Sequence, residues 1–332
     1  MSTFLISGVN GFIGSHIGDR LVQGGHVVRG LVRKTSDVTY IKGLDLELCY
    51  GDVEDRDSLD LAMKGVEIVI HAAALVSDWS PAERMFALNL GGTENIARSA
   101  QAHHVKRFVH ISSAAVHGFR GFRYGDELFA MPKSIFPYCE SKRAAEAWLW
   151  CLAKSTDMQI TVIRPGNVFG PRDHIFTQNY LHALRRGKFA YVDRGRHWTC
   201  PTYVENLVDA IVGACFEPLA NGEAFIITDG LKIDWKTLTD RFADELGVER
   251  TRMSIPYYCA YSVGFMAEMT YKLLSISRPP AVTRYRVCNA GRDYHFSIEK
   301  VNRLLGYRPA VEFGEAVRRT VRWFLEEYPQ QL

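Results

Sequence analysis

Thr3-Phe4-Leu5-Ile6-Ser7-Gly8-Val9-Asn10-Gly11-Phe12-Ile13-Gly14 is the stretch that decides the fold. A short apolar strand, Thr3–Ser7, runs into a glycine turn, and Ser15 to about Gln23 then reads as a helix. The first N–H groups of such a helix have no carbonyl partner and point outward, where they attract a phosphate. Glycine suits the turn because a side chain would block that approach. The spacing here is GxxGxxG rather than the better-known GxGxxG. A tight turn that binds nothing is the competing reading, and the position after a first strand argues against it. Candidate cofactor contacts are therefore Gly8, Asn10, Gly11, Phe12, Ile13 and Gly14.

Outward from this turn, the pattern repeats. His26–Val32, a short run near Leu46–Cys49, Val66–Ile70, Arg107–Ile111 and Ile160–Ile163 are apolar strands separated by helical segments, one of them carrying Asn89-Leu90-Gly91-Gly92-Thr93. Strands apolar on both faces that alternate with helices indicate a parallel sheet covered on each side. The expected class is α/β, a Rossmann-type doubly wound parallel sheet with a smaller, mostly C-terminal substrate lobe. Residues 1–170 read as the dinucleotide-binding domain, with a returning strand near 200–230, and residues 171–332 as mainly the substrate-binding lobe. Beyond Gly170 the expected elements are a strand at Phe225–Thr228, a helix at Trp235–Leu246, a glycine-ended helix at 297–306 and a last helix to about Tyr328.

Composition narrows the function. The chain has 332 residues and a net charge of +3 with no long basic run, so nothing calls for nucleic acid. Its seven cysteines show no CxxC pair and no metal-ligand spacing, and they read as reduced thiols of a cytoplasmic protein. The N-terminus reads as a first strand rather than a signal peptide. No apolar stretch reaches the ~18–20 residues of a membrane span.

The end of the second strand should select the cofactor. A carboxylate about ~20 positions after the glycines would bind a ribose 2′-hydroxyl. Arg33 and Lys34 stand there instead, with no carboxylate until Asp37, which favours NADP(H) over NAD(H). The plainer reading is a pair of exposed charges. Asp52, with Val53 beside it, is placed to meet the adenine edge, or else simply forms a Gly-Asp turn.

Tyr138-Cys139-Glu140-Ser141-Lys142 carries the chemistry. It follows Pro137 and opens an Ala-rich, helix-favouring run. Residues four apart share a helix face, so Tyr138 and Lys142 point the same way. A fixed ammonium one turn away favours the phenolate and should bring the phenol, normally near ~10, towards working pH. Alone, such a pair is weak evidence.

Six motifs in order change that. Gly8-x-x-Gly11-x-x-Gly14, His71-Ala-Ala-Ala, Asn89-Leu-Gly-Gly-Thr93, Ile111-Ser-Ser-Ala-Ala-Val-His-Gly118, Tyr138-x-x-x-Lys142 and Arg164-Pro-Gly-Asn-Val-Phe-Gly-Pro171 together resemble the extended short-chain dehydrogenase/reductase family. The resemblance runs from residue 3 to about 230. It implies Tyr138 as acid/base, Lys142 as the residue that tunes it and holds the nicotinamide ribose, and Ser113 rather than Ser112 on the reacting oxygen. It implies Ala72, Ala73 and Ala74 lining the cofactor cleft, with Pro165, Asn167 and Val168 bordering the nicotinamide. Asn89 stands between a catalytic and a structural role, and His71 reads as structural. His117 occupies a position where many sugar-active members have tyrosine. A homodimer is a further implication.

The branch is read from smaller differences. Ser113-Ala114-Ala115 lacks the additional acids of sugar-nucleotide dehydratases. Thr202-Tyr203-Val204-Glu205-Asn206-Leu207 and Gly222–Asp229 resemble the 3β-hydroxysteroid dehydrogenase and sterol-4α-carboxylate dehydrogenase branch, as does Thr283-Arg284-Tyr285-Arg286. The expected activity is interconversion of a ketone and a secondary alcohol on a hydrophobic 3-oxo or 3-hydroxy compound. The alternative is a nucleotide-sugar 4-epimerase with tightly bound NAD. The aromatic and Met-rich segment 255–274 reads as an apolar substrate wall, a peripheral lipid contact or ordinary core. Arg172, Arg284 and Arg286 could hold a substrate carboxylate but read as surface residues.

Overall fold

A computed structural model describes residues 1–329; the last three residues of the lobe expected at 171–332 lie outside the described residues. Seven strands form one sheet: β1 (Thr3–Ser7), β2 (Val27–Val32), β3 (Glu47–Tyr50), β4 (Ile68–His71), β5 (Arg107–Ile111), β7 (Gln159–Pro165) and β11 (Ala224–Ile227). Their order is β11-β7-β5-β4-β1-β2-β3, every pair parallel. All four residues of β4 and all five of β5 are buried, as strands covered on both faces must be. The fold is the expected Rossmann-type sheet.

Helices cover both faces. On one side α1 (Phe12–Gln23) and α7 (Val204–Phe216) enclose a core with Phe4, Ile6, Ile17, Leu207 and Ile211. On the other, α2 (Arg56–Ala62), α4 (Gly92–Ala102) and α5 (Pro137–Leu152) pack on Leu5, Val69, Ile96, Phe108 and Leu149. The segment carrying Asn89 is not one regular helix. A short α3 (Ala82–Phe86) passes through a π-helical turn at Ala87–Gly91 before α4, and π turns often mark functional positions.

The second half joins the first closely. β11 closes the edge of the main sheet, and α6 (Thr177–Arg185), α8 (Trp235–Leu246), α11 (Glu299–Leu305) and α12 (Phe313–Glu327) extend the α1/α7 core. Three small parallel pairs tie distant segments together: β6 (Phe122–Gly125) with β13 (Tyr294–Phe296), β8 (Asn167–Phe169) with β10 (Pro201–Tyr203), and β9 (Tyr191–Val192) with β12 (Ser254–Ile255). They are too short to announce themselves as sequence patterns. Helices α9 (Tyr257–Leu273) and α10 (Arg284–Ala290) pack together, and their Tyr261 and Tyr285 rest on the core cluster that contains Tyr138.

Candidate active site

Strand order reverses at β1, which has β2 on one side and β4 on the other. Open α/β sheets bind ligands at the carboxyl end of such a switch point. Here β1 ends in Gly8 and β4 ends beside Ala72–Ala74. Gly8 has φ +72°, and a Cβ on it would lie 2.7 Å from the Ala73 nitrogen. A Cβ on Gly14 would lie 2.0 Å from the Gly8 oxygen, so these glycines allow the turn, the neighbouring loop and α1 to close together. Helix α1 starts at Phe12, three residues earlier than read, with an exposed Gly11 as its N-cap. Its first-turn N–H groups, including those of Phe12 and Ile13, are thus the anion-binding end of a helix that reaches the switch point.

The surrounding candidates divide. Arg33 and Lys34 are exposed at the end of β2. The Asp37 carboxylate accepts from Thr39 N at 2.9 Å and Thr39 Oγ1 at 2.6 Å, so it closes its own turn. Asn10 donates to the Asp37 carbonyl at 3.1 Å, tying the glycine turn to this loop. Asp52 accepts from Glu54 N at 3.1 Å, the turn-forming alternative. Val53 is buried against Gly92, where a Cβ would come within 2.8 Å of its Cγ2. These residues fit a dinucleotide: a helix N-terminus behind small residues for the phosphates, with two exposed cations at the end of β2.

A neutral hydrogen-bond chain sets the cleft floor. Thr93 donates its hydroxyl to the Asn89 carbonyl at 2.6 Å, so at its 3.0 Å contact with His71 it can only accept. His71 therefore carries its proton on Nε2, and Nδ1 accepts from Ser7 at 2.6 Å. Ser7 in turn accepts from Ala73 N at 3.3 Å. Burial pushes the imidazole down to about 3, which keeps it neutral and the chain intact. The Asn89 side chain accepts from Leu75 N at 2.7 Å and donates to Ser141 Oγ at 3.0 Å. It joins the 72–75 loop to α5.

Helix α5 begins at Pro137, where proline lacks only an N–H that would be unpaired anyway. It turns Tyr138, Ser141, Lys142 and Glu146 inward. Tyr138 meets Ser113, whose hydroxyl also accepts from Ala115 N at 3.1 Å. Ser112 faces away and bonds the Glu146 carboxylate. Lys142 donates to the Ile111 carbonyl at 2.8 Å. One expectation is corrected. Burial pushes the Tyr138 phenol up to about 12, against a lowering by Ser113, rather than down through Lys142. Burial instead brings Lys142 down to about 8, with Glu146 opposing. In the protein alone, desolvation outweighs the charge one turn away.

Sequence reasoning gave Glu146 no role. It is 1% exposed and pairs with Arg164, itself 3% exposed, through Nε at 3.1 Å to both carboxylate oxygens and Nη2 at 2.6 Å. Arg164 can only donate, so His117 Nε2 accepts from it at 3.3 Å and Nδ1 donates to the Phe129 carbonyl at 3.0 Å. Burial holds His117 neutral, down to about 4. The available signal was spacing: Glu146 follows Lys142 by the same four residues that separate Lys142 from Tyr138.

Beyond Tyr138 the wall is aromatic. Phe119, Phe122, Tyr294 and Phe296 share its core cluster, with Phe136 and Tyr285 packed on it, and the Tyr285 ring stands 6.4 Å from that of Tyr138. A cavity of about 620 Å³ opens beside Phe136, lined also by Phe119, Tyr257, Tyr258 and Tyr261 with Arg120 and Arg292. Pro165 pairs with Ile227 and Val168 with Thr202, while Asn167 donates to Thr199 Oγ1 at 3.0 Å and exchanges bonds with Asn289. Arg172, Arg284 and Arg286 pair with Asp19, Glu268 and Asp78, so none is free to hold a substrate.

Comparison with known proteins places this site in a class. Residues 4–227 match the NAD dependent epimerase/dehydratase family, and the chain belongs to it. It is an NAD(P)-dependent oxidoreductase acting on CH–OH groups. More particularly, it is 30% identical to the mouse (Mus musculus) sterol-4-alpha-carboxylate 3-dehydrogenase, decarboxylating, over 96% of this chain and 90% of that one. It is 27% identical to the 2-alkyl-3-oxoalkanoate reductase of Stenotrophomonas maltophilia, covering 95% and 97%. Among solved structures, the crystal structure of gox2253 superposes with a TM-score of 0.82 at 29% identity, covering 100% of both chains.

Proposed function

We propose that this protein is an NADP(H)-dependent oxidoreductase that interconverts a ketone and a secondary alcohol on a hydrophobic 3-oxo or 3-hydroxy substrate. Residues 1–170 would hold the cofactor and the later residues mainly the substrate. The observation that carries the reading is a buried Tyr138 phenol near the Ser113 hydroxyl, one helical turn from the buried Lys142 and set in an aromatic wall rather than a polar one. Support for the substrate class comes from the aromatic-rich cavity lined by Phe119 and Phe136 of the same wall, and from relatives whose names specify a sterol carboxylate and a 2-alkyl-3-oxoalkanoate.

The bound nicotinamide supplies or accepts the hydride. The glycine turn and the α1 N-terminus hold its phosphates, and Arg33 with Lys34 receives a 2′-phosphate. Ser113 orients the substrate oxygen. Tyr138, protonated at neutral pH, gives its proton to that oxygen as charge develops there. Lys142, positive below about pH 8, steadies the phenolate left behind. Running the same groups backwards oxidises the alcohol. Glu146 and Arg164 neutralise one another and brace the helix under Lys142.

The test is oxidation of NADPH, with NADH in parallel, against apolar 3-oxo acids, 3-ketosteroids and UDP-4-keto sugars. Turnover of an apolar ketone with NADPH preferred is the expected result. No consumption of either cofactor, together with NAD released on denaturing the protein, would move the assignment to the epimerase.

A further inference from the structure

Helix α9 is built inside out. Its inward residues are mostly small or polar, with Ala260, Gly264 and Glu268 buried beside Tyr257. A Cβ on Gly264 would stand 3.2 Å from Arg284 N, so the helix lies tight against the start of α10. Its large apolar side chains point the other way. Tyr258 is 78% exposed, Phe265 42%, Met266 63%, Met269 52% and Leu273 85%. At about 100° per residue, Tyr258, Phe265, Met266, Met269 and Leu273 fall within one face, interrupted only by Ser262, rather than forming scattered exceptions. Isolated exposed apolar residues need no explanation, but a contiguous helical face of them does.

The unpaired charge around this face is positive: nearby Asp78 is paired with Arg286, and Asp193 with Tyr257 N and His197. Glu268 is the only acid between Arg250 and Arg292, and it is buried on Arg284. Arg252, Lys272 and Arg278 are exposed and make no ion pair among the described residues. No helix among the described residues is long and apolar enough to cross a membrane. An exposed apolar face on a helix of 17 residues, about 25 Å long, with unpaired cations at its border, has the character of a helix lying in the headgroup region of a bilayer.

We propose that the outward face of α9 docks this protein on a membrane surface containing anionic lipid. Phe265, Met266, Met269 and Leu273 enter the boundary between headgroups and acyl chains, while Lys272 and Arg278 meet lipid phosphates. A second copy of the chain is the other occupant an apolar face could have; the unpaired cations Arg252, Lys272 and Arg278 at its border disfavour it, because two such faces brought together repel. Docking would also set Tyr258, which lines the cavity beside the candidate active site, at the bilayer.

The experiment is co-sedimentation of the full chain with vesicles of phosphatidylcholine alone and of phosphatidylcholine with phosphatidylglycerol. Partitioning into the anionic vesicles is expected, weakened by salt and by Lys272→Glu with Arg278→Glu. The pair Met266→Glu and Met269→Glu should lower partitioning at least about tenfold while leaving the melting temperature unchanged. Phe265→Ser serves as a second variant if that pair fails to fold. Equal partitioning by wild type and folded variants, or none into either vesicle, overturns the proposal. So does a wild-type dimer in sedimentation equilibrium that the methionine variants dissociate, which would assign the face to a second copy.

Discussion

Helices α5 and α9 invert the usual arrangement in opposite senses. Helix α5 buries a tyrosine, a serine, a lysine and a glutamate, while α9 exposes a phenylalanine, two methionines and a leucine. Burying Lys142 with a carbonyl as its one hydrogen-bond partner is costly, as its lowered pKa records. Exposing the α9 face forgoes the stabilisation that burial would bring. The two exceptions call for different explanations. A polar group buried at a cost points to chemistry, and an apolar group left in water points to a partner surface.

Variants can sharpen that contrast. Tyr138→Phe keeps the ring and removes the proton; ketone reduction should fall by about 10²–10⁴-fold with little change in melting. Retention of full turnover would remove Tyr138 from the mechanism. Arg164→Met strands the buried Glu146 charge and should cost about 3–5 kcal/mol in denaturant unfolding, whatever happens to activity. A loss well below 1 kcal/mol would mean that the Glu146 carboxylate finds another partner.

Lys142→Met separates cost from chemistry. Burial brings the folded ammonium down to about 8 from the ordinary lysine value of 10.5, so between those values the unfolded chain holds a proton that the folded chain lacks. The penalty is therefore complete below about pH 8 and fades as pH rises towards 10.5. Removing the amine should stabilise the fold at pH 7 by up to about 3 kcal/mol while lowering turnover. The wild type should correspondingly lose reductase activity as pH rises through about 8. A flat profile from pH 7 to 10 would exclude an ammonium requirement. The smallest effect is expected at Arg33→Ser, which should reduce the preference for NADPH over NADH by roughly tenfold, measured as the ratio of the two kcat/KM values.

Particular residues mark how far the sequence could be read. The strands of the main sheet were legible because most carry a run of apolar residues bounded by turn residues, β1 and β4 most plainly. The glycine turn was legible because no other residue type tolerates its contacts. The three two-stranded pairs were not, since strands of two to four residues cannot carry a period. Helix α7 went unread too, because apolar residues on most of its faces blur the helical period.

By itself, the sequence determined the parallel sheet, the glycine cradle at its first turn and the Tyr138–Lys142 spacing, because all three depend on neighbours close in the chain. Only the tertiary structure decided the rest. It gave Ser112 to Glu146, joined Glu146 to Arg164, left the phenol protonated and turned the α9 face outward. Hydrogen-bond partners and desolvation depend on what distant segments bring alongside a side chain, and no local pattern encodes that.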